Sequence, residues 1–459
     1  MAQKRLDFPK GFIWGAATAG HQVEGGNVDS DWWKFEQEGK IYDGTVSGKS
    51  TDYWNRYEED HEIMSRIGMN GFRLGIEWAK IEPREGQIDR FAIDRYKAIL
   101  ESLRARGMKI CLTISHWVLP LWFAEKGGWT NPKAVKYFEK FVRVCATEFG
   151  EYPTYWVVLN EPAVVPTGGY LGGVFPPEKK SFVLFCLVVH RLLEAHAAGY
   201  AAIHEIVKHA ADGGPTRIGA AQAYQCIDAW GTPGLAGAYE SIMAPLVAHG
   251  SFNAWDTAVK TGRVPFPFGI GDRIKGLEDS YDYCGVNYYT RMSLRFDPSR
   301  TDEAFIERYD VPPGIERGGM GWQNYPPGFY STLKDVWERF GKPIIITENG
   351  VEDGNREDTM RCSYTLEHLA QLHRAMQEGI KIEAYYHWSY IDNFEWREGY
   401  IKKLGLIECN YADPELKRVW RKSAYMYQDI IRENAITEEI VAKYAPAAME
   451  GVFGDKWRA

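Results

Sequence analysis

The chain has 459 residues and a formal net charge of −8, with 45% hydrophobic and 25% charged residues. This composition is typical of a folded globular protein and excludes a disordered, collagen-like or low-complexity chain. The mild acidic excess provides no basic surface for nucleic acid or for an anionic membrane. We therefore expect neither kind of partner.

The start of the chain and its cysteines bear on where the protein works. The N-terminal segment is basic but lacks an apolar stretch, so we expect no signal peptide, and no run of about 18 apolar residues predicts a membrane span. The seven cysteines are scattered without a CxxC pair, which indicates reduced thiols rather than a disulfide framework or a zinc site. Together these features predict a cytoplasmic protein.

Short apolar runs, typical of parallel strands buried on both faces, alternate with longer segments of helical period. Strands are predicted at residues 11–18, 71–77, 108–115, 154–159, 217–223, 281–288, 343–347 and 381–387. Helices are predicted at residues 89–106, 132–149, 181–207, 335–340, 359–378 and 414–432, the second of them capped by Asn131. The Pro- and Gly-rich residues 291–329 show no period and are predicted to form a long loop.

Eight strands with helical crossovers and no linker between them predict a single (β/α)8 TIM barrel, of the α/β class, that spans residues 1–459. A doubly wound open sheet fits this pattern less well. Active sites of such barrels lie at the C-terminal ends of the strands. The residues that follow each apolar run are therefore the candidates for a functional site.

Those positions carry carboxylates, amides, histidine and tryptophan instead of the small polar caps that strand ends usually have. They are Gln22, Glu24, Arg73, Glu77, Trp78, His116, Trp117, Asn160, Glu161, Asn287, Tyr288, Tyr289, Glu348, Asn349, Trp388, Glu395 and Trp396. We expect this set to converge on one mouth of the barrel. The 17 tryptophans fit either a large core or a cleft in which indole rings stack on sugars, and composition alone does not separate the two.

Glu161 and Glu348 are the most specific feature, because each ends a buried strand beside an asparagine. A retaining glycosidase uses two carboxylates about 5–5.5 Å apart, one as nucleophile and one as acid and then base. Strands four and seven lie across a barrel from each other, so the fold would bring the two glutamates together. Either one alone fits a solvated cap about equally well, but the pair does not.

The sequence does not match the motifs of other common catalytic sites. His204 and Glu205 lack the HExxH spacing, the glycines of residues 168–173 match neither GxGxxG nor a P-loop, and no GxSxG elbow occurs. The 11 histidines show no metal-ligand spacing. We expect neither a metal nor an organic cofactor.

Four motifs together resemble family 1 of the glycoside hydrolases, the β-glucosidase and β-galactosidase group. They are FIWGAATA at 12–19 with the following Gln22 and Glu24, LNEP at 159–162, ITENG at 346–350 and WSYIDNFEW at 388–396. Their order is that of the family, and the similarity extends over essentially the whole chain. The resemblance implies a TIM barrel that hydrolyses β-glycosides by double displacement.

The resemblance also implies the residue roles. Glu348 would be the nucleophile and Glu161 the general acid/base, whose pKa the neighbouring charge of Glu348 would raise. Arg73 and Tyr289 would hydrogen-bond Glu348 and keep it ionised. The residues implied to bind the sugar are Gln22, His116, Asn160, Asn287, Trp388, Glu395 and Trp396. A cis peptide bond would follow Trp388.

Three positions near these motifs depart from the family pattern: Val118 stands where Asp is usual, Leu159 where Phe is common, and Gly75 where Ser is frequent. They leave the sugar and aglycone preference open rather than the chemistry. Glu395 would repel a phosphate, which disfavours a 6-phosphoglycosidase. Glu161 is not the Gln of thioglucoside-cleaving members.

The favoured function is a cytoplasmic β-glucosidase with side activity on β-galactosides and β-fucosides, acting on short soluble glucosides or cellobiose as small-molecule substrates. Two alternatives stay open, namely a non-catalytic sugar-binding protein on the same fold and an enzyme that favours transglycosylation. Trp117, Trp322 and Phe329 are candidates for the outer cleft, although ordinary packing fits them equally well. The sequence does not specify an oligomeric state.

Overall fold

Eight parallel strands close into a barrel in the computed structural model, which describes residues 4–301, 304–309 and 316–457. The strands are β1 (Arg5–Asp7), β2 (Ile13–Ala17), β3 (Gly71–Gly75), β4 (Lys109–Ser115), β5 (Pro153–Asn160), β6 (Ile218–Ala229), β7 (Cys284–Phe296), β8 (Ile306–Tyr309), β9 (Ile344–Asn349), β10 (Ile382–Trp388), β11 (Ile407–Cys409), β12 (Arg418–Trp420) and β13 (Ala435–Thr437). Strands β2 to β7, β9 and β10 pair in sequence, and β10 pairs back onto β2. The predicted (β/α)8 barrel is confirmed.

Helices fill the connections between the barrel strands and the C-terminal region. They are α1 (Gly20–Val23), α2 (Asp31–Gln37), α3 (Tyr53–Ile67), α4 (Trp78–Ile81), α5 (Arg90–Ala105), α6 (Leu121–Glu125), α7 (Ala134–Phe149), α8 (Val164–Pro166), α9 (Phe182–Ile206), α10 (Leu235–Ala248), α11 (Ala254–Thr261), α12 (Pro326–Phe340), α13 (Thr359–Gln377), α14 (Lys422–Glu433), α15 (Glu438–Tyr444) and α16 (Met449–Phe453). All eight predicted barrel strands are present.

The side chains of each continuous apolar run pack in two cores, one inside the barrel and one between the barrel and the helices. On β9, Ile345 packs inside the barrel, whereas Ile344 and Ile346 pack against the helices. On β3, Phe72 packs against the helical layer, so the next residue, Arg73, points into the barrel. Alternation of side chains along a strand thus delivers a charged group to the interior without breaking the outer core.

The predicted loop at residues 291–329 is wrong at both ends. Strand β7 continues to Phe296 and pairs with antiparallel β8, and α12 begins at Pro326. The alternation of Met292, Leu294 and Phe296 is the period of a half-exposed strand, which the search for continuous apolar runs does not detect. Residues 302–303 and 310–315 of this stretch lie outside the described residues.

Two helix predictions also need correction. Helix α12 starts nine residues before the predicted 335, and residues 414–432 form β12 followed by α14 rather than one helix, because Trp420 pairs with Ile407 in a two-stranded sheet. Asn131 does not cap α7. Its side-chain oxygen instead accepts the backbone N–H of Lys133 at 2.8 Å, in the turn that precedes the helix.

Helix α9 is the most apolar long helix that the described residues contain. Its length and an 18-residue window of mean hydropathy 1.5 match a membrane span by composition alone. Half of that window is buried inside the protein, where α9 packs against α7 and β5. A core helix of a folded domain has a similarly high hydropathy, because its side chains are buried in this way.

Buried ion pairs attach the C-terminal segments to the barrel. Arg418 of β12 donates to both carboxylate oxygens of Asp60 in α3, at 3.0 and 3.1 Å, and both side chains are almost fully buried. Tyr390 donates to the same carboxylate at 3.1 Å. Because Tyr390 lies two residues beyond β10, this pair also fixes the segment that leads to Glu395 and Trp396.

We expect Arg418→Met to lower the free energy of unfolding by about 3–5 kcal/mol, because it leaves Asp60 buried without its cation. The measurement is urea denaturation followed by circular dichroism. Arg104→Met is the matched control, since the partner of Arg104, Glu151, is exposed. Equal losses of stability in the two variants would contradict this account of the buried pair.

Candidate active site

A cavity of about 340 Å³ opens at the C-terminal ends of the barrel strands. Its lining residues are Tyr42, His116, Trp117, Glu161, Val164, Val174, Phe175, Ala223, Tyr224, Gln225, Asn287, Tyr289, Met320, Trp322, Glu348, Trp388, Glu395, Trp396, Arg397 and Glu398. Eight of the eleven predicted site residues are among them.

The predicted residues that line the cavity are Glu161, Glu348, Tyr289, His116, Asn287, Trp388, Glu395 and Trp396. The remaining three, Gln22, Arg73 and Asn160, are buried and hydrogen-bond residues of this set. The structure therefore brings all eleven predicted residues to one place.

A larger cavity, of about 980 Å³, lies at the opposite end of the barrel, where the strands begin. Several of its charged and phenolic groups are paired within the protein. Tyr155 donates to Glu383 at 2.9 Å, and Arg217 donates to Asp212 at 2.8 Å. The cavity at the strand ends is the one that gathers buried groups of perturbed pKa.

Glu348 is the penultimate residue of β9, and two donors hold its carboxylate. Arg73 Nη1 donates to its Oε1 at 2.5 Å, and the Tyr289 hydroxyl donates to its Oε2. Burial raises the pKa of Glu348, and the Arg73 guanidinium and the Tyr289 hydroxyl act against that rise. The contacts expected to keep Glu348 ionised are therefore present, but they work against a desolvation effect that the sequence did not reveal.

Glu161 follows β5 with a positive φ of 46°, a conformation uncommon for a residue with a side chain and often found at functional sites. Asn287 Nδ2 donates to its Oε1 at 2.9 Å. Burial first, and the charge of Glu348 second, raise the pKa of Glu161 to about 8. The expected direction is present, although burial rather than the neighbouring carboxylate is the larger cause.

Polar atoms beside the two glutamates are only partly satisfied. Asn160 Nδ2 contacts His116 Nε2 at 2.9 Å, and Gln22 Nε2 donates to Glu395 Oε2 at 3.2 Å. Among the described residues, His116 Nδ1 and Gln22 Oε1 are buried without a hydrogen-bond partner. A ligand rich in hydroxyl groups would satisfy such atoms, and a site left with unpaired groups discriminates strongly against ligands that lack those hydroxyls.

Aromatic rings form the other surfaces. Trp388 precedes a cis peptide bond to Ser389, as the resemblance implies, and His116 lies nearly parallel to Trp388 and to Trp396, with ring centroids 5.9 Å apart in both pairs. The ring centroids of Trp322 and Tyr289 lie 4.8 Å apart. Flat apolar faces beside hydrogen-bonding groups suit the two faces of a sugar ring.

Two of the three candidates for the outer cleft line the cavity, and the third does not. Trp117 and Trp322 line the cavity, whereas Phe329 is fully buried against Tyr288 and His368. For Phe329 the alternative of ordinary packing is therefore the correct one.

The expected convergence of all strand-end residues is wrong for Glu24, Glu77, Trp78, Tyr288 and Asn349, none of which lines the cavity. Trp78 and Tyr288 pack in the outer core, and Asn349 donates to the backbone carbonyl of Tyr288 at 2.7 Å. Glu77 accepts the backbone N–H of His21 at 2.9 Å, and Glu24 accepts the hydroxyl of Tyr96 at 3.0 Å, and neither lines the cavity. Position after a strand indicates the correct end of the barrel, but it does not specify which way a side chain turns.

Sequence reasoning missed several lining residues, among them Val164, Val174, Phe175, Gln225 and Met320. Gln225 lies in β6, past the predicted end of that strand, and the other four lie in connections without a motif, so no local signal identifies them. Among the described residues no group of three or more His, Cys, Asp or Glu side chains is arranged to hold a metal ion. The expectation that no metal or cofactor is needed stays a prediction.

The arrangement combines an acid with a nucleophile. A carboxyl group whose pKa lies near 8 carries a proton at neutral pH, while a carboxylate paired with a guanidinium carries a charge. Two carboxyl groups with separated roles at the mouth of a barrel suit the cleavage of a glycosidic bond.

Comparison with known proteins agrees with this chemistry. The family model described as Glycosyl hydrolase family 1 matches residues 4–436. Beta-glucosidase A of Thermotoga maritima is 33% identical over 451 residues, which cover 94% of this chain and 99% of that protein. Beta-galactosidase of Sulfolobus acidocaldarius is 29% identical over 500 aligned residues, which cover 95% of this chain and 97% of that protein.

The fold comparison gives the same result. The solved structure of the beta-glycosidase from Pyrococcus horikoshii superimposes with a TM-score of 0.85 and 31% sequence identity, covering 96% of this chain and 98% of that one. Motifs, barrel, paired glutamates and near-complete coverage all agree. The chain is an enzyme that belongs to glycosyl hydrolase family 1.

Proposed function

We propose that the protein is a retaining β-glucosidase that releases terminal β-D-glucosyl residues and accepts β-galactosides and β-fucosides as side substrates. The observation that carries this proposal is the contrast between two carboxyl groups in one cleft. Glu348 is paired with Arg73, whereas burial and the charge of Glu348 raise the pKa of Glu161 to about 8. Relatives named beta-glucosidase and beta-galactosidase support the glucosyl and galactosyl parts of this range.

In the first step Glu161 donates its proton to the glycosidic oxygen while Glu348 attacks the anomeric carbon. The bond to the leaving alcohol breaks, and an ester forms between the sugar and Glu348. In the second step Glu161, now ionised, takes a proton from water, which attacks the anomeric carbon and releases Glu348. Two inversions give a product of the original β configuration.

The environment of Glu161 changes during this cycle in the required direction. The charge of Glu348 contributes to the raised pKa of Glu161 in the free enzyme. Esterification removes that charge, so the pKa of Glu161 falls just when it must act as a base. Asn287 donates to Glu161 at 2.9 Å and holds it in place through both steps.

The sugar preference rests on Gln22, His116, Glu395 and Trp396, which surround the polar end of the cleft. Burial, followed by the charge of Glu348, raises the pKa of Glu395 to about 8. A buried carboxyl group at this position hydrogen-bonds sugar hydroxyls and offers a phosphate no positive charge, so we propose an unphosphorylated glycone. Cellobiose is one candidate substrate.

A cytoplasmic location is part of the proposal. All seven cysteines are free thiols, and five of them are buried. Free thiols in this number suit a reducing compartment.

Glu348→Ala should lower kcat by about a thousandfold or more on 4-nitrophenyl β-D-glucoside, because the residue forms the covalent intermediate. The exposed Glu439→Ala variant is the matched control and should keep the wild-type rate. Rates are measured together with the unfolding midpoint of each variant. A loss smaller than about tenfold in a folded Glu348→Ala protein would contradict the assigned nucleophile.

The pH dependence tests Glu161. Its folded pKa is raised to about 8, and the protonated form is the active one, so kcat/KM should be retained below pH 8 and fall above it. Glu161→Gln should lack this alkaline limb when assayed with 2,4-dinitrophenyl β-D-glucoside, whose leaving group needs no proton. An alkaline limb that persists unchanged in Glu161→Gln would show that another group titrates.

A further inference from the structure

His21 lies behind the cavity, next to two residues of the sugar-binding set. It precedes Gln22 in α1, and its side chain is buried. Its imidazole ring is stacked against the indole of Trp396, with 5.9 Å between the ring centroids and 8° between the ring planes. His21 is therefore joined to one sugar-binding residue by a peptide bond and to another by a ring contact, although it does not itself line the cavity.

The His21 ring is held at both of its nitrogens. Nε2 lies 2.6 Å from Glu36 Oε1, and Nδ1 lies 3.1 Å from Asn27 Nδ2. All three side chains are buried. Burial alone would lower the pKa of His21, but the hydrogen bond to Glu36 and the charge of that carboxylate outweigh burial, so the pKa is raised. A hydrogen bond to an ionised partner is a strong one, and two contacts on opposite sides of the ring fix its plane.

The two partners of the ring are themselves held by groups that are distant in sequence. Glu36 Oε2 accepts the backbone N–H and the hydroxyl of Ser47, at 2.7 and 2.8 Å. Glu77 accepts Asn27 Nδ2 at 2.8 Å and the backbone N–H of His21 at 2.9 Å. The carboxylate of Glu77, which turns away from the cavity, thus holds the backbone of His21, and Glu36 holds its ring.

The conformation of Trp396 requires such support. Its φ is 51°, which is uncommon for a residue with a side chain and persists only where the surroundings hold it. Trp32 and Trp117 pack against the indole at inclined angles of 55° and 37°. His21 is close to parallel with it, as is His116 of the cavity lining. A parallel ring that is itself held at both nitrogens restricts the tilt of the indole more than an inclined apolar ring does.

The position of Gln22 depends on the same segment. Its Nε2 donates to the carbonyl of Phe394 at 2.9 Å and to Glu395 Oε2 at 3.2 Å, so its amide hydrogens are used within the protein. Its Oε1 is buried without a partner among the described residues and is the atom left for a sugar hydroxyl. The backbone of α1 sets where that oxygen lies, and the bond from the His21 N–H to Glu77 holds this backbone.

We propose that His21 is a positioning residue for sugar recognition. Its ring, held by Glu36 and Asn27, fixes the plane of Trp396, and its backbone fixes Gln22. The inference rests on the proposed function, because it takes Gln22 and Trp396 as sugar-binding residues. His21 touches neither the sugar nor the reacting atoms, so loss of its contacts should weaken the recognition of individual hydroxyl groups and leave the nucleophile and the acid in place.

The test compares how much each sugar hydroxyl contributes to the rate in the wild type and in His21→Phe. The variant keeps a flat ring beside Trp396 but loses both nitrogen contacts. The substrates are 2,4-dinitrophenyl β-D-glucoside and its 3-deoxy, 4-deoxy and 6-deoxy analogues, whose leaving group needs no proton. We expect the removal of at least one hydroxyl to lower kcat/KM by at least about threefold less in His21→Phe than in the wild type, because the contact to that hydroxyl is already weakened.

A purely structural role of His21 gives a different result. A smaller folded or active fraction would lower kcat/KM for all four glucosides by one common factor and leave the ratios between them unchanged. Asn27→Ala is the second variant, because it keeps the imidazole and removes one of its two partners, and it should change the ratios in the same direction. Unchanged ratios in either variant, when folded, would overturn the proposal.

His204→Phe is the matched control. It removes a contact of 2.8 Å between a histidine and Asp282, and it does so in α9, outside the cavity lining. It should keep the wild-type ratios.

The same substrates distinguish the two proposals. If Glu348→Ala still hydrolyses 2,4-dinitrophenyl β-D-glucoside at the wild-type rate, the proposed function fails. If hydrolysis depends on Glu348 but folded His21→Phe keeps the wild-type ratios, only the inference about His21 fails.

Discussion

Arg73 reaches from β3 into the interior of the barrel, where its guanidinium donates to Glu348 and to Asn160. A fully buried cation is stable only when it is paired, and Glu348 is the carboxylate that pairs with it. Asn287 extends the network from Asn160 to Glu161. One buried charge thus couples the stability of the barrel to the ionisation of the nucleophile and to the position of the acid.

Much of this could be predicted from the sequence, because the signals are local. Continuous apolar runs identify the eight barrel strands, and the polar residue after a run identifies the end of the barrel where chemistry collects. This rule identifies Glu161 and Glu348, whereas Arg73 is distinguished as a charged residue inside an apolar strand. The alternation of side chains along β3 accounts for the inward direction of Arg73, since Phe72 belongs to the outer core.

The rest depends on contacts between residues that are distant in sequence. Trp420 belongs to a strand because Ile407 pairs with it, so the helical period of its neighbours is misleading. Glu77 follows a strand as Glu161 does, yet it turns away because the backbone of His21 offers it a hydrogen bond. Phe175 lines the cleft because its ring packs against Trp32, which is distant in sequence and belongs to no motif.

The most direct test of the central claim is labelling with 2-deoxy-2-fluoro-β-D-glucosyl fluoride, followed by peptide mapping with mass spectrometry. The fluorine at C2 slows both steps, while the fluoride leaving group allows the glycosyl-enzyme to accumulate. A single glucosyl adduct on Glu348 is the predicted result. An adduct on another residue, or none with either the glucosyl or the galactosyl probe, would contradict the account.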